Sequence, residues 1–213
     1  MLIADILPSL IVDVPTCPDF TAKSALVRAA IELCVHSSAW NEVQDPITLI
    51  DGVSVYDIEA PPDAAVSLIM EVSVGSNQVL PTTILQVRDL MPDWQTAVGN
   101  RPLHYAAPTG GSTVRVFPIP KDSNRARMTL RVAYQPTLTA ASLPDFLVNK
   151  HLDTLLCGAR SRLFMMPKKD WSDPKLADYN KQQFDADKTD LRIVVLHGEV
   201  PSQLTVRARR FGF

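Results

Sequence analysis

Residues 144–166 read PDFLVNKHLDTLLCGARSRLFMM, and the fold follows from how this stretch is read. Val148, Leu152, Leu155, Leu156, Ala159, Leu163 and Met166 recur at three- and four-residue spacing, which places one apolar stripe on an α-helix. No proline interrupts it. Gly158 is out of place, since glycine costs a helix interior up to about 1 kcal/mol relative to alanine. A close helix–helix crossing is the ordinary reason to keep one there. Met166-Pro167 ends the segment. Asp173-Pro174 then starts another helix, with Asp173 as N-cap and Pro174 at the first helical position. Leu176, Tyr179, Phe184, Leu191, Val194 and Val195 are read as its buried face, and His197-Gly198 as its stop, with Gly198 as a left-handed cap.

Working outward, Asp19 to about Trp40 repeats the helical pattern through Leu26, Ala29, Ala30, Leu33 and Cys34, with Asp19 or Thr21 available to cap it. Between these helices the periodicity changes to β. Residues 47–50 and 53–56 flank Asp51-Gly52, a favoured two-residue hairpin turn, because both residues tolerate φ > 0. Val66–Val74, Leu103–Ala106, Thr113–Phe117 and Arg127–Tyr134 are further strand candidates; in the last, Met128, Leu130, Val132 and Tyr134 alternate onto one face. A short helix is expected around Leu85–Leu90. Pro102, Pro108, Pro118, Pro120 and Pro136 punctuate the strands, where a residue without an N–H belongs at ends and edges.

A helix stripe must be covered. The simplest arrangement is an α+β fold: a three-long-helix body with an inserted small antiparallel β module and an extended C-terminal arm. The expected divisions are an N-terminal arm (1–18), a helical body (19–42 plus 140–197), the β module (43–139) and the C-terminal arm (198–213).

The bulk numbers bound the function. The chain has 213 residues, 46% hydrophobic and 21% charged, and a net charge of −2, so no positive field marks it for nucleic acid or an acidic membrane. Seventeen prolines against eight glycines indicate stiff connections. Cys17, Cys34 and Cys157 form no CxxC, and a reducing, cytosolic origin fits them best. The opening MLIADILPSLIVDVP carries Asp5 and Asp13 and lacks a basic start, unlike a signal peptide. No apolar run approaches the roughly 20 residues that span a bilayer.

Candidate chemistry is sparse. His36, His104, His151 and His197 fall into no metal-ligand spacing, and His151 and Asp153, two apart, face different ways on a helix. Gly158-Ala-Arg-Ser161 lies mid-helix rather than at a nucleophile elbow, and Gly110-Gly111 lacks the GK[ST] of a phosphate loop. Asp187 and Asp190 read as a solvated face. Trp171 reads as a plug that fixes the angle between the two late helices. These residues give no reason to expect an enzyme, a cofactor or a metal.

An ordered set of local signatures points elsewhere. Arg28-Ala-Ala-Ile-Glu-Leu33 leads to Trp40 and Asp45-Pro-Ile-Thr-Leu-Ile-Asp-Gly-Val-Ser-Val-Tyr56. The apolar strand near Val66, the segment around Trp94 and Val116-Phe-Pro-Ile-Pro120 follow. Last come Gly158-Ala-Arg-Ser-Arg-Leu163, Met166-Pro-Lys-Lys-Asp-Trp171, Asp173-Pro174, Leu176-Ala177 and Phe184. Over residues 20–211 the chain resembles head-to-tail adaptor (connector) proteins of short-tailed bacteriophages, the tail tubular protein A type. The resemblance implies a virion protein assembled in the host bacterial cytoplasm. It implies a homo-oligomeric ring, usually of twelve copies, between the portal protein and the tail nozzle protein. Double-stranded DNA would pass through that ring without specific binding, and no membrane is involved.

The resemblance also assigns the C-terminus to portal binding. Arg207, Arg209 and Arg210 offer planar, permanently charged forks, and Phe211 and Phe213 offer apolar anchors. Burying one Phe in a partner groove contributes roughly 1.5–3 kcal/mol before the arm's ordering cost. A ring of such arms would hold by avidity. Without the resemblance, a solvated terminus explains the same residues. The rivals are a tail nozzle or tail-completion protein of the same virion, and a small hydrolase, for which no acid or base can be named.

Overall fold

The computed structural model describes residues 1–108, 111–121 and 125–198. Its elements, in chain order, are α1 (Ile3–Ile11), α2 (Asp19–Ser37), β1 (Asn41–Val43), β2 (Ile47–Thr48), β3 (Val55–Asp57), β4 (Ala64–Val74), β5 (Asn77–Pro81), α3 (Ile84–Leu90), β6 (Val98–Gly99), β7 (His104–Ala106), β8 (Thr113–Phe117), β9 (Ile119–Pro120), β10 (Arg127–Pro136), α4 (Asp145–Phe164) and α5 (Pro174–His197).

The expected three-long-helix body with a small antiparallel module is overturned. An eight-stranded sheet runs β1-β10-β4-β5-β7-β8-β3, with β2 also on β10, and β6 and β9 form a second, two-stranded sheet. The large sheet is mixed, because β5 and β7 pair in parallel (Leu80 with His104). One helix, α1, joins the three long helices and the short one expected near Leu85–Leu90. The physical reason lies in β10 and β4, ten and eleven residues long and paired antiparallel over nearly their whole length. The face of Met128, Leu130, Val132 and Tyr134 is buried as expected, but a small module could not cover it. It packs on α2, and strand and helix side chains share one core.

The sheet curls until its ends approach each other. Gln44, after β1, donates through Nε2 to the Tyr134 hydroxyl at 2.9 Å, and that hydroxyl donates to the Glu59 carbonyl, after β3, at 3.1 Å. Tyr134 thus ties together the two strands at opposite ends of the order. Two register shifts in the β10–β4 pair, between Arg131 and Val132 and between Ala133 and Tyr134, are β-bulges, which bend and twist a strand.

The Asp51-Gly52 turn forms, with Gly52 at φ +83° and the Val53 N–H bonded to Ile50 O at 3.1 Å, but it closes no hairpin. β2 pairs with β10 and β3 with β8. The Tyr56 hydroxyl fills the gap, accepting from Ile50 N at 3.1 Å and donating to Val53 O at 3.0 Å.

α1 occupies residues read as an arm. Ile3, Ile6, Leu7 and Leu10 are buried at helical spacing, and this stripe holds the helix despite Pro8. α2 is the central helix, and α1, α4, α5 and the sheet all contact it. Neither Asp19 nor Thr21 caps it through a side chain; Pro18 takes the N-cap position, and Ser38 ends the helix in the left-handed region at φ 55°. Gly158 does mark a close crossing. A Cβ there would lie 2.8 Å from the Phe184 ring and 2.9 Å from Ala29 Cβ, where α2, α4 and α5 meet. A separate small core of Val87, Trp94, Ala106 and Phe117 holds α3 against β7 and β8. Trp94 and Phe117 meet edge-to-face at 5.6 Å, with the Arg115 guanidinium 4.9 Å from the Trp94 ring centroid.

Candidate assembly surfaces

α5 does not bury the face its sequence advertises. Asp173 caps it as expected, accepting from the backbone N–H groups of Lys175 (3.0 Å) and Leu176 (3.1 Å). Its buried positions, however, are Ala177, Asn180, Phe184 and Lys188, while Leu176, Tyr179 and Val194 of the expected stripe are exposed. At the crossing, Gly158 leaves room for the Phe184 ring, the one large apolar residue of the expected stripe that α5 fully buries. Asn180 satisfies itself through Nδ2 to Leu176 O at 2.7 Å. The apolar residues left outside, Ile193, Val194 and Leu196 among them, sit on the last turns of the helix. Gly198 has a positive φ (74°) but a ψ of 163°, so it follows α5 without adopting the left-handed helical cap.

Lys188 is nearly buried, and its ammonium is held by Glu32 Oε1 at 2.7 Å and Asp185 Oδ1 at 2.8 Å. Arg162 of α4 pairs with the other oxygen of Glu32, so one carboxylate clamps α2, α4 and α5. Burial pushes the Glu32 carboxyl up, but the hydrogen bond and charge of Lys188, followed by Arg162, outweigh it and hold the group below the ordinary range. Burial opposes the charge on Lys188, yet its hydrogen bonds to Asp185 and Glu32 raise the ammonium's pKa. Asp185 is lowered, chiefly by its bond to Lys188.

This cluster lines a groove of about 1130 Å³ between α2, the last turns of α5 and the sheet at β4, β5 and β7. Four large apolar side chains along it are exposed: Val35 (51%), Leu68 (54%), Leu138 (71%) and Leu196 (67%). Its ionisable lining is cationic, with Arg28, Arg162, Lys188 and Arg192 against Glu32 alone, apart from His36. Arg28 and Arg192 are exposed and make no ion pair among the described residues.

On the other flank a cleft of about 710 Å³ opens beside β1, β2 and β3. Glu42, Asp45, Asp57 and Glu59 line it with no cation, and all four are exposed. Tyr56 and Tyr134, the two hydrogen-bonded anchors of the curl, form part of its wall.

The residues assigned to portal binding, Arg207, Arg209, Arg210, Phe211 and Phe213, lie outside the described residues. The four histidines are dispersed: His36 on α2, His104 in β7, His151 at a kink in α4, and His197 at the end of α5. No cluster of three or more metal-ligating side chains occurs among the described residues. Burial pushes the Cys34 thiol up to about 12, which makes it an inert core residue. Asp187 accepts from Thr154 Oγ1 at 3.0 Å and Gln183 Nε2 at 2.8 Å, a link between α4 and α5, whereas Asp190 is exposed. Trp171 packs half-buried against the main core in the α4–α5 connection, as a plug would.

Sequence reasoning missed the groove. Its one visible signal was Arg192-Ile-Val-Val-Leu196, an apolar run closing a helix that is otherwise rich in charge. Among the described residues no helix is long and apolar enough to cross a membrane.

A search of curated proteins found no match to the chain. A protein-family model described as SU10 adaptor protein matches residues 1–207. The resemblance to phage head-to-tail adaptors is thereby borne out. The chain belongs to the SU10 adaptor protein family, a phage structural adaptor.

Proposed function

We propose that the protein works as one copy in a closed ring of twelve that joins the portal to the tail nozzle and surrounds the path of the DNA. The observation that carries this reading is the apolar surface left on Val35, Leu68, Leu138 and Leu196 around one groove. Scattered single apolar residues need no explanation, but a contiguous set along a groove marks a surface that is covered in use. The net charge of −2 suits a lumen that lets DNA slide rather than grips it.

In this reading the arm after Gly198 reaches the portal, with Arg207, Arg209 and Arg210 meeting acidic or carbonyl groups and Phe211 and Phe213 entering apolar pockets. Electron microscopy of the protein alone and mixed with its portal tests both parts. The expected result is mostly single copies alone and rings on the portal. Deletion of residues 207–213 is expected to abolish docking while leaving the circular dichroism spectrum unchanged. A truncated protein that docks as well as the full chain removes the role given to the arm.

A further inference from the structure

We propose that neighbouring copies meet unlike face to unlike face: the carboxylate-lined cleft of one docks into the cationic, apolar groove of the next. This rests on the ring reading and names the surfaces that meet. The groove presents four cations to one carboxylate, and Arg28 and Arg192 have no ion pair among the described residues. The cleft presents four exposed carboxylates and no cation. Apolar surface matches as well, since Val43, 65% exposed, lines the cleft, facing the kind of exposed wall that Val35, Leu68 and Leu196 supply.

Position makes the pair useful. The groove's sheet wall comes from β4, β5 and β7, whereas the cleft is built on β1, β2, β3 and Tyr134 of β10. In the strand order β10, which carries α2, stands between β1 and β4, and the two sites share no residue. A groove facing a second groove would oppose like charges, so a two-fold contact through it is disfavoured. Groove-to-cleft contact is heterologous: each pair leaves one groove and one cleft free, and the assembly grows until its rotation closes. The chain's own C-terminal segment is a poorer occupant, because residues 199–213 carry three arginines against one glutamate and would meet the groove's cations.

The test uses two full-length variants, a groove variant, Arg28→Glu with Arg192→Glu, and a cleft variant, Asp45→Lys with Asp57→Lys. None of these four side chains makes a hydrogen bond or ion pair within the described residues, so unchanged circular dichroism and melting are expected. In sedimentation velocity at about 0.01 M salt, where screening extends about 30 Å, each variant alone should stay monomeric. Their equimolar mixture should give a one-to-one dimer and nothing larger, because only one groove and one cleft survive per pair. Association should fall about tenfold or more at about 0.15 M salt. Absence of the mixed dimer, or rings from the groove variant alone, overturns the pairing. A mixed dimer that vanishes when residues 199–213 are deleted assigns the groove to the tail and overturns it too. Wild-type protein that gives open chains rather than closed rings on the portal, with the mixed dimer intact, overturns the ring reading and leaves the pairing standing.

Discussion

Glu32 carries more of the fold than its half-exposed position suggests, because two cations from two other helices converge on it. Its carboxyl is held below the ordinary range, so its contribution is present above the unfolded pKa of about 4.3 and is lost as pH falls through the lower folded value. Asp185, also lowered, adds to the same acid-side loss. Lys188 is raised, so its contribution is complete below about 10.4 and disappears only as pH climbs through the still higher folded value. Glu32→Gln should therefore cost about 1 kcal/mol at pH 7, a figure kept small because Glu32 is partly solvated. The variant should also lose less stability than the wild type between about pH 5 and pH 3. Urea melts at pH 7, 5, 4 and 3 check both statements; parallel wild-type and variant curves across the acid range would remove the clamp from the account. None of this was legible in the sequence. Glu32 and Lys188 are 156 residues apart, and each reads locally as an ordinary charge on an amphipathic helix.

At the scale of elements, α2 to α5 were legible in existence and α1 was not, and the buried faces of α2 and α4 were legible whereas that of α5 was not. Asp173-Pro174 fixes the start of α5 because cap chemistry is local. The buried face is set by the neighbour: Gly158 of α4 leaves room for the Phe184 ring, while Leu176 and Tyr179 stay exposed. Gly158→Ala tests that crossing. The new methyl would sit under 3.0 Å from both the Phe184 ring and Ala29 Cβ. Overpacking costs of about 1–3 kcal/mol should exceed the helix-propensity gain of up to about 1 kcal/mol, leaving a net loss in chemical denaturation. A more stable variant would mean that the helices have room to part. The strands follow the same logic. Alternation in residues 128–134 predicted the buried face of β10 correctly, since period two is a local property. The Asp51-Gly52 pair predicted a turn and not its partners. Pairing depends on which edges are vacant elsewhere, and here the Tyr56 hydroxyl made a local partner strand unnecessary.

For the whole molecule, the sequence resemblance located the family, while the division into helical body and small module misjudged how the layers meet. Apolar area decides this. Strands as long as β4 and β10 need a cover, and α2 supplies it from inside the same core. The exposed groove and cleft then follow as the surfaces this packing leaves over, one apolar and cationic, the other acidic. The groove could not be seen along the chain, because it collects residues from elements far apart in sequence, whereas the cleft lies within residues 42–61 apart from Tyr134 and was hidden only in how the strands fold around it. Both matter only if copies assemble. Native mass spectrometry of the portal mixed with excess wild-type protein measures that directly, by counting adaptor copies per portal. A single saturated species carrying a full ring, with twelve copies expected and few partly filled forms, is the predicted result. A graded ladder of independently bound copies, or no adaptor on the portal at all, would contradict it.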